Sequence, residues 1–299
     1  MDGIIAVWKP AGWTSHDVVA KVRRLLKMKR IGHTGTLDPM VTGVLPLCLG
    51  RATRVVEYVQ ERPKAYEAVI QLGIATDTED LTGSVTQEQT GVQVTREDII
   101  RVLRGFVGVI EQVPPMFSAV KVDGKRLYEL AREGKTVERK ARQVTIHQIE
   151  LLDLELDLEF PRFSFSVVCS KGTYIRTLCV DIGQALGVPA AMAELTRTMS
   201  GGFTKEQCVS LEQIEALGTE GIGPFILPAE LGIQHLPRAT VDAHSASLAL
   251  KGQKLPLRLL AEELETDQPI RLFDENELFI GIFEADYALS VLTPIKVFS

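Results

Sequence analysis

Features that mark several other protein classes are missing from this 299-residue sequence. It has no run of about 18 or more apolar residues, so we expect no membrane-spanning helix. The N-terminal MDGIIAVWKP places an acidic residue where a signal peptide would be basic. The four cysteines lack CxxC spacing, which argues against zinc and redox motifs. These absences predict a cytoplasmic protein whose thiols are buried.

The common signatures of nucleotide, metal and acyl-transfer sites are also absent. There is no GxGxxG following a strand, no GxxxxGK[ST], no HExxH and no GxSxG. The sequence therefore contains no short motif that would assign a nucleotide, a catalytic zinc ion or a nucleophilic serine.

A positive net charge is lacking as well, since 33 Lys and Arg face 39 Asp and Glu for a net charge of −6. This excludes a uniformly basic nucleic-acid-binding protein. It does not exclude local basic surfaces, because a charge acts over a screening length of about 8–10 Å. Residues 1–64 carry a net charge of +6 and residues 119–142 carry +4, whereas residues 205–299 carry −8. The charge is thus polarised along the chain.

The periodicity of the apolar residues predicts a chain of mixed helices and strands. Strands are predicted over 3–9, 65–74, 144–156 and 162–170. Helices are predicted after an N-cap at Ser15, over 51–60, from a capping box at Thr95 to Phe106, over 173–186 and after Ser210. The stretch 217–228 is the best candidate linker, and short β-like runs follow it. Long strands with interleaved helices indicate an α+β fold rather than a doubly wound sheet.

The loop GHTGTLDPMVTG over residues 32–43 is the densest concentration of turn residues in the chain. An Asp before Pro is most often a turn or cap residue, and a catalytic carboxylate is the sharper interpretation of Asp38. Pro39 restricts Asp38 to extended conformations, and the glycines allow the backbone to approach a bulky substrate. His33 could act as a general base, although a lone histidine is more often structural.

A second segment, SKGTYIRTL from Ser170, joins the end of a predicted strand to a predicted helix. Arg176 lies one turn inside that helix, where a surface arginine is the simplest interpretation. If Arg176 faces Asp38, we expect the pair to keep the carboxylate ionised and to lower its pKa. Tyr66, at the start of an apolar strand, is by default a core residue.

Five motifs in order along the chain carry a resemblance to a known family: KPAGWTSHDVV, GHTGTLDPMVTGVLPLCLG, AYEAVIQLGIATDTEDLTG, PPMFSAVKVDGKRLYELAREG and SKGTYIRTL. In them the sequence closely resembles the bacterial tRNA pseudouridine-55 synthases of the TruB type. The resemblance spans most of residues 3–203, and long motifs in register are far more specific than one short pattern.

The resemblance implies a pseudouridine synthase fold, with a large mixed, mainly antiparallel sheet, flanking helices and a small C-terminal β domain. The catalytic domain would span residues 1–233, with a mobile, thumb-like basic arm at about 124–143. Residues 236–299 would form a PUA-like domain that contacts RNA.

The implied reaction isomerises the T-loop uridine of tRNA, at position 55, to pseudouridine. The glycosidic bond breaks, the base turns and a carbon–carbon bond forms, after the uridine has been flipped out of its loop. The resemblance implies no cofactor and no metal. The implied partner is the T-arm stem-loop of tRNA, and neither a membrane nor a protein partner is implied.

The resemblance also assigns roles to residues. Asp38 matches the essential aspartate, as a nucleophile or electrostatic partner at the sugar or the base, or as the group that removes a sugar proton; the sequence leaves these open. Arg176 matches the arginine that pairs with it. Tyr66 matches a tyrosine that stacks near the base and is a candidate for proton handling at C5. Leu195 matches an apolar residue packed against the flipped base, and His33 matches a histidine that contacts the RNA loop.

Three further motif residues are expected to bind substrate. Lys121 would contact the RNA backbone or the pocket, whereas Lys9 and Tyr174 have a structural role as an equal alternative. The basic segments 21–30 and 125–142 are expected to meet RNA phosphates, with a solvated charged loop as the simpler alternative for the second.

Two other functions stay open at this point. One is a tRNA-binding protein that remodels the T-arm, with isomerisation incidental. The other is a carboxylate glycosidase that uses Asp38 with a second acid, which would release free uracil.

Overall fold

The structure is a computed structural model that describes residues 1–122 and 124–298. Asp123, within the fourth sequence motif, and Ser299, the last residue of the predicted C-terminal domain, lie outside the described residues. Every helix among the described residues is too short or too polar to cross a bilayer.

The strands of the described residues are β1 (Gly3–Lys9), β2 (Ile31–His33), β3 (Thr42–Leu49), β4 (Lys64–Leu72), β5 (Ile74–Thr76), β6 (Val85–Glu88), β7 (Gly108–Gln112), β8 (Lys121–Val122), β9 (Lys125–Arg126), β10 (Arg142–Glu155), β11 (Arg162–Cys169), β12 (Ala190–Ser200), β13 (Phe203–Thr204), β14 (Cys208–Val209), β15 (Arg238–Val241), β16 (Leu255–Pro256), β17 (Ile270–Asp274), β18 (Phe279–Asp286) and β19 (Val291–Val297). The helices are α1 (Ser15–Leu25), α2 (Val56–Glu61), α3 (Arg96–Gly105), α4 (Leu127–Arg132), α5 (Ile175–Leu186), α6 (Leu211–Gly221) and α7 (Ala243–Leu250).

The first sheet has the strand order β14-β1-β3-β12-β4-β11-β10-β7, with β13 on β12 and β2 on β3. The pairs β1–β14 and β3–β12 are parallel, and the other pairs in that order are antiparallel. The expected large, mainly antiparallel mixed sheet of an α+β fold is therefore confirmed. The late strand β12 lies between β3 and β4, so it joins the two halves of the sheet.

Two helix pairs cover one face of this sheet. α3 and α5 pack on the half formed by β4, β10, β11 and β12, while α1 and α6 pack on β1 and β3. The predicted start of α3 and the predicted end of α5 are confirmed. α3 begins after the capping box of Thr95 and Asp98, and α5 ends at Gly187, whose left-handed φ of 76° is accessible to glycine at little cost.

Strand β1 is buried on both faces, which explains why its sequence is continuously apolar. Ile5 and Val7 point towards α1 and α6, whereas Ile4 and Ala6 pack in a separate core. That second core also contains Phe279 and other residues of the C-terminal sheet. The two sheets are therefore packed together through the back of β1.

The second sheet has the order β15-β17-β18-β19-β16, with α7 against it. At its junction with the first sheet, Lys296 pairs with Glu57 at 3.1 Å, and the Arg54 guanidinium donates to the Val297 carbonyl. The β-like runs in the sequence thus form one small sheet.

Two local predictions are wrong. The segment 217–228 is not a linker, because Leu227 and Ile4 exchange backbone hydrogen bonds of 2.7 and 2.8 Å and Ile222 is fully buried. The N-cap of α1 is Thr14, which forms a capping box with Asp17, and Ser15 is the first helical residue. The Ser15 hydroxyl instead serves the neighbouring 32–43 loop.

Candidate active site

The loop that carries Asp38 connects β2 to β3 and is anchored from below by two side chains. The buried Ser15 hydroxyl accepts a hydrogen bond of 2.9 Å from the Leu37 N–H. The Lys9 ammonium donates to the Pro39 carbonyl at 2.9 Å. Asp38 is therefore flanked on both sides by residues held from the core.

Lys9 is completely buried and also donates to the carbonyls of Pro10 and Trp13, at 2.8 and 2.6 Å. Burial lowers the pKa of Lys9 to about 8. Its three donors are all engaged by backbone, and Lys9 does not contribute to the pocket described below. In the structure Lys9 supports the Asp38 loop through the Pro39 carbonyl.

Asp38 and Arg176 form an ion pair, with Nε to Oδ2 at 3.0 Å. The Arg176 side chain is only 6% exposed, whereas the Asp38 side chain is 44% exposed. Arg176 also donates to the carbonyls of Thr78 and Phe117, at 3.0 and 2.8 Å. A fixed guanidinium therefore presents the carboxylate to an open space.

The expected lowering of the Asp38 pKa is wrong. Burial in the pocket wall raises the pKa of Asp38 above its ordinary value, Arg176 opposes that rise, and Asp80 adds to it. Desolvation of the carboxylate outweighs the two cations that lower its pKa, Arg176 and Lys9, because burial disfavours the charged form.

A pocket of about 330 Å³ opens beside this ion pair. Of the residues predicted for the site, its lining contains Asp38, Tyr66, Tyr174, Arg176 and Leu195. Within the described lining, Asp38 supplies the one carboxylate. The volume is at the lower end of the range for pockets that take a small ligand.

Tyr66 forms part of the pocket wall on β4 and is 8% exposed. Burial raises the pKa of Tyr66, and the nearby Arg197 opposes this rise. Gln112 also holds the start of α5, the helix that bears Arg176. Its side-chain amide donates to the Tyr174 carbonyl at 3.0 Å and accepts a hydrogen bond from the Tyr174 N–H at 2.7 Å.

Besides Lys9, two predicted contact residues lie outside the lining of this pocket, His33 and Lys121. His33 packs edge-on against His16 with ring centroids 5.3 Å apart, and its Nδ1 accepts from the Gly35 N–H at 3.3 Å. Lys121 is exposed on β8, opposite Arg126. Neither side chain touches the Asp38 pair, so any role they have is with a larger ligand.

Sequence reasoning missed Arg197, which lines the pocket and is 1% exposed. In an alternating strand a lone arginine suggests the solvent face. The alternation of side chains along a strand could have identified Arg197, since it follows Leu195 by two residues and therefore lies on the same face of β12. Within the described residues, no three His, Cys, Asp or Glu side chains are grouped closely enough to hold a metal ion.

Family models match most of the chain. Residues 23–175 match the N-terminal domain of the TruB family of pseudouridylate synthases, and residues 176–234 match the C-terminal domain of tRNA pseudouridylate synthase B. This chain belongs to the TruB family. The resemblance inferred from the motifs is thereby confirmed.

Curated relatives agree with this TruB assignment over nine-tenths or more of their length. The tRNA pseudouridine synthase B of Geobacillus thermodenitrificans is 46% identical over all of both chains. That of Halalkalibacterium halodurans is 50% identical over 95% of this chain and 93% of its own.

Two solved structures resemble the fold of this TruB protein. A chain of an H/ACA RNP bound to a substrate RNA containing 2'-deoxyuridine superimposes with a TM-score of 0.76 at 27% identity, covering 99% of this chain and 85% of that one. A chain of a Cbf5-Nop10-Gar1 complex gives 0.74 at 30% identity, covering 95% and 78%.

Proposed function

We propose that this TruB protein isomerises the T-loop uridine of tRNA, at position 55, to pseudouridine, with Asp38 as the essential catalytic carboxylate. The observation that carries the proposal is the Asp38–Arg176 ion pair, which opens onto a pocket walled by Tyr66 and Leu195. Membership of the TruB family supplies the reaction class.

The chemistry suits a site with one carboxylate. In the isomerisation the N1–C1′ bond of uridine breaks, a C5–C1′ bond forms, and a proton leaves C5 while N1 gains one. No atom is added overall, so the reaction needs no external reductant or group donor. Asp38 can act as a nucleophile or as a proton acceptor, and Arg176 keeps it aimed at the substrate in either role.

The target uridine must leave the stack of its loop, at the expense of a few kcal/mol. Tyr66 and Leu195 offer an aromatic ring and an apolar side chain to the flipped base. Tyr66 is also the candidate for proton handling at C5. Tyr174 forms another part of the wall.

The basic arm at about 124–143 is the proposed clamp on the T-arm. It begins with β9 and α4, and Lys140 and Arg142 are exposed. Phe117, just before the arm, accepts a hydrogen bond from Arg176, so the arm is attached next to the catalytic pair. With Lys121 and the basic segment 21–30 it would contact phosphates, which position RNA without reading its sequence. His33 would contact the RNA loop.

We also propose the domain boundaries expected from the sequence, a catalytic domain over 1–233 and a PUA-like RNA-contact domain over 236–299. The five-stranded sheet of β15–β19 supports the second boundary, because its first strand begins at Arg238.

The test is formation of pseudouridine in an unmodified tRNA transcript, read by carbodiimide-blocked primer extension. We expect a stop at the T-loop uridine with the wild type, and none with Asp38→Asn or Asp38→Ala. Asp157→Asn, in an exposed turn, is the charge-matched control and should behave as wild type. A transcript with cytidine at the target position controls for site selection.

The outcomes separate the alternatives. Pseudouridine formed by Asp38→Ala at the wild-type rate would refute the catalytic assignment. A wild type that binds tRNA without modifying it would indicate a T-arm remodelling protein. Release of free uracil would indicate the glycosidase.

A further inference from the structure

Arg197 is a buried arginine whose hydrogen bonds end on the backbone of two separate segments. Its Nε donates to the Val44 carbonyl at 2.8 Å, within β3. Its Nη2 and Nη1 donate to the carbonyls of Gly35 and Thr36, at 3.1 and 3.4 Å. Thr36 lies two residues before Asp38, so one guanidinium holds the loop that carries the catalytic carboxylate.

The charge of Arg197 is not neutralised by an ion pair with any carboxylate in the part of the chain that the structure describes. A buried cation without an anionic partner is unfavourable, and an apolar side chain would fill the same volume without that penalty. Packing alone therefore does not account for an arginine here.

The strand register places Arg197 beside the other side of the pocket. Arg197 is the direct partner of Tyr66 on β4 and of Gly43 on β3, so the three residues form one row across the sheet. Side chains that are direct cross-strand partners stand about 5 Å apart at Cβ. A Cβ on Gly43 would lie 2.2 Å from the Arg197 carbonyl oxygen, so glycine permits this close approach of β3 and β12.

We infer that Arg197 is a positioning residue that fixes the Gly35–Asp38 segment relative to Tyr66 across the pocket. The inference rests on the proposed function, in which Asp38 and Tyr66 act on the same uridine. From β12, which lies between β3 and β4, Arg197 stands opposite Tyr66 and donates to the loop that carries Asp38. Its action is on the geometry of the reacting groups rather than on the RNA backbone.

The experiment compares the full-length Arg197→Met and Arg197→Lys variants with the full-length wild type, each prepared in the same way. Thermal unfolding and circular dichroism check that each variant is folded, filter binding gives the Kd for tRNA, and steady-state assays give kcat and KM. We expect Arg197→Met to lower kcat by about 100-fold with unchanged KM and Kd, because displacement of a catalytic group by about 1 Å has an effect of that size. Arg197→Lys keeps one donor group and should recover about tenfold of that loss.

Wild-type activity in the same assay separates the two failures, since an inactive wild type would refute the proposed function and with it the premise of this inference. If the wild type is active, an Arg197→Met enzyme with wild-type kcat, or a loss confined to KM, would overturn the positioning role. If Arg197→Met does not fold, Arg197→Lys decides. A kcat lowered by about tenfold at unchanged KM then supports the role, and wild-type kcat overturns it.

Discussion

The carboxylate of Asp38 is held in a place where the protein disfavours its charge. Its raised pKa means that ionising Asp38 is harder in the folded protein than in water, in spite of Arg176 at 3.0 Å. A carboxylate with a perturbed pKa, paired with a fixed cation at a pocket, is typical of a catalytic group. The rest of the protein must compensate for the instability that this introduces.

The first prediction is that Asp38→Asn stabilises the folded protein at neutral pH. A carboxyl with a raised folded pKa contributes most stability when protonated, and this is lost as the pH rises through that pKa. Asn stays neutral, so the unfolding midpoint of Asp38→Asn should exceed that of wild type by a margin that grows as the pH rises above about 4, the ordinary pKa of Asp, and becomes constant above the folded pKa.

The matched control is Asp98→Asn in the capping box of α3. Hydrogen bonds from Thr95 lower the pKa of Asp98, so its carboxylate stabilises the folded state above its ordinary pKa and ceases to do so as the pH falls. Asp98→Asn should therefore lower the midpoint at neutral pH, the opposite sign. A lowered midpoint for Asp38→Asn at about pH 7 would contradict the first prediction.

At this scale the sequence predicted residue types better than it predicted their surroundings. The LDP motif pointed to Asp38, and the SKGTYIRTL motif pointed to Arg176, which the structure brings together. The direction of the Asp38 pKa could not be predicted, because it depends on how much of the loop shields the carboxylate. Arg197 was missed because the sequence does not show which carbonyls a long side chain will meet.

At the scale of elements, α1 supports the loop between β2 and β3. Its N-terminal Ser15 is buried and accepts the Leu37 N–H. The N-cap is one residue earlier, at Thr14. Thr14 therefore caps the helix, while the neighbouring Ser15 hydroxyl supports the loop that carries Asp38.

The second prediction is that Ser15→Ala lowers both stability and kcat. It leaves the buried Leu37 N–H without its acceptor, which costs about 1–3 kcal/mol, and it loosens the residue adjacent to Asp38. Ser210→Ala removes the N-cap of α6 and should lose about 0.5–2 kcal/mol with kcat unchanged. Chemical unfolding measures the loss of stability, and a steady-state assay measures kcat. Equal kcat for the two variants would refute the role of Ser15.

Element prediction succeeded where the local signal was strong and failed where packing decided. The capping box at Thr95 predicted the start of α3, and the helix predicted after Ser210 is α6. The glycines and proline of 217–228 suggested a linker, but Leu227 pairs with Ile4, which lies more than 200 residues away in sequence. No local pattern reports such a pairing.

At the scale of the whole molecule, the net charge of −6 conceals an uneven distribution. The first 64 positions carry many of the basic residues and also supply part of the pocket lining. The basic arm follows Phe117, which also lines the pocket. Residues 205–299 carry a net charge of −8, and residues 65–118 and 143–204 together carry another −8. Attraction to RNA is therefore expected from a part of the surface rather than from the protein as a whole.

The third prediction concerns the salt dependence of tRNA binding. Binding should weaken as salt rises, because neutralised phosphates release counterions. Replacing Arg139, Lys140 and Arg142 together by glutamine should flatten the slope of log Kd against log salt. An unchanged slope would remove the arm from the RNA contacts.

The charge-matched control replaces three arginines of α3, Arg96, Arg101 and Arg104, which are exposed. Their loss changes the net charge by the same amount. If that slope flattens equally, the effect is one of total charge, and the arm has no special part in binding.

The position of β12 has a consequence for the newly made chain. Asp38 precedes β3 and Tyr66 lies on β4. These two strands are joined into one sheet by β12, which lies between them and ends at Ser200. Ribosomes add about 5–20 residues per second, so a delay on the order of 10 s separates the synthesis of β4 from that of β12. A chain terminated before β12 would contain Asp38, Tyr66 and Arg176 with no strand to assemble them, so the pocket forms only late in translation.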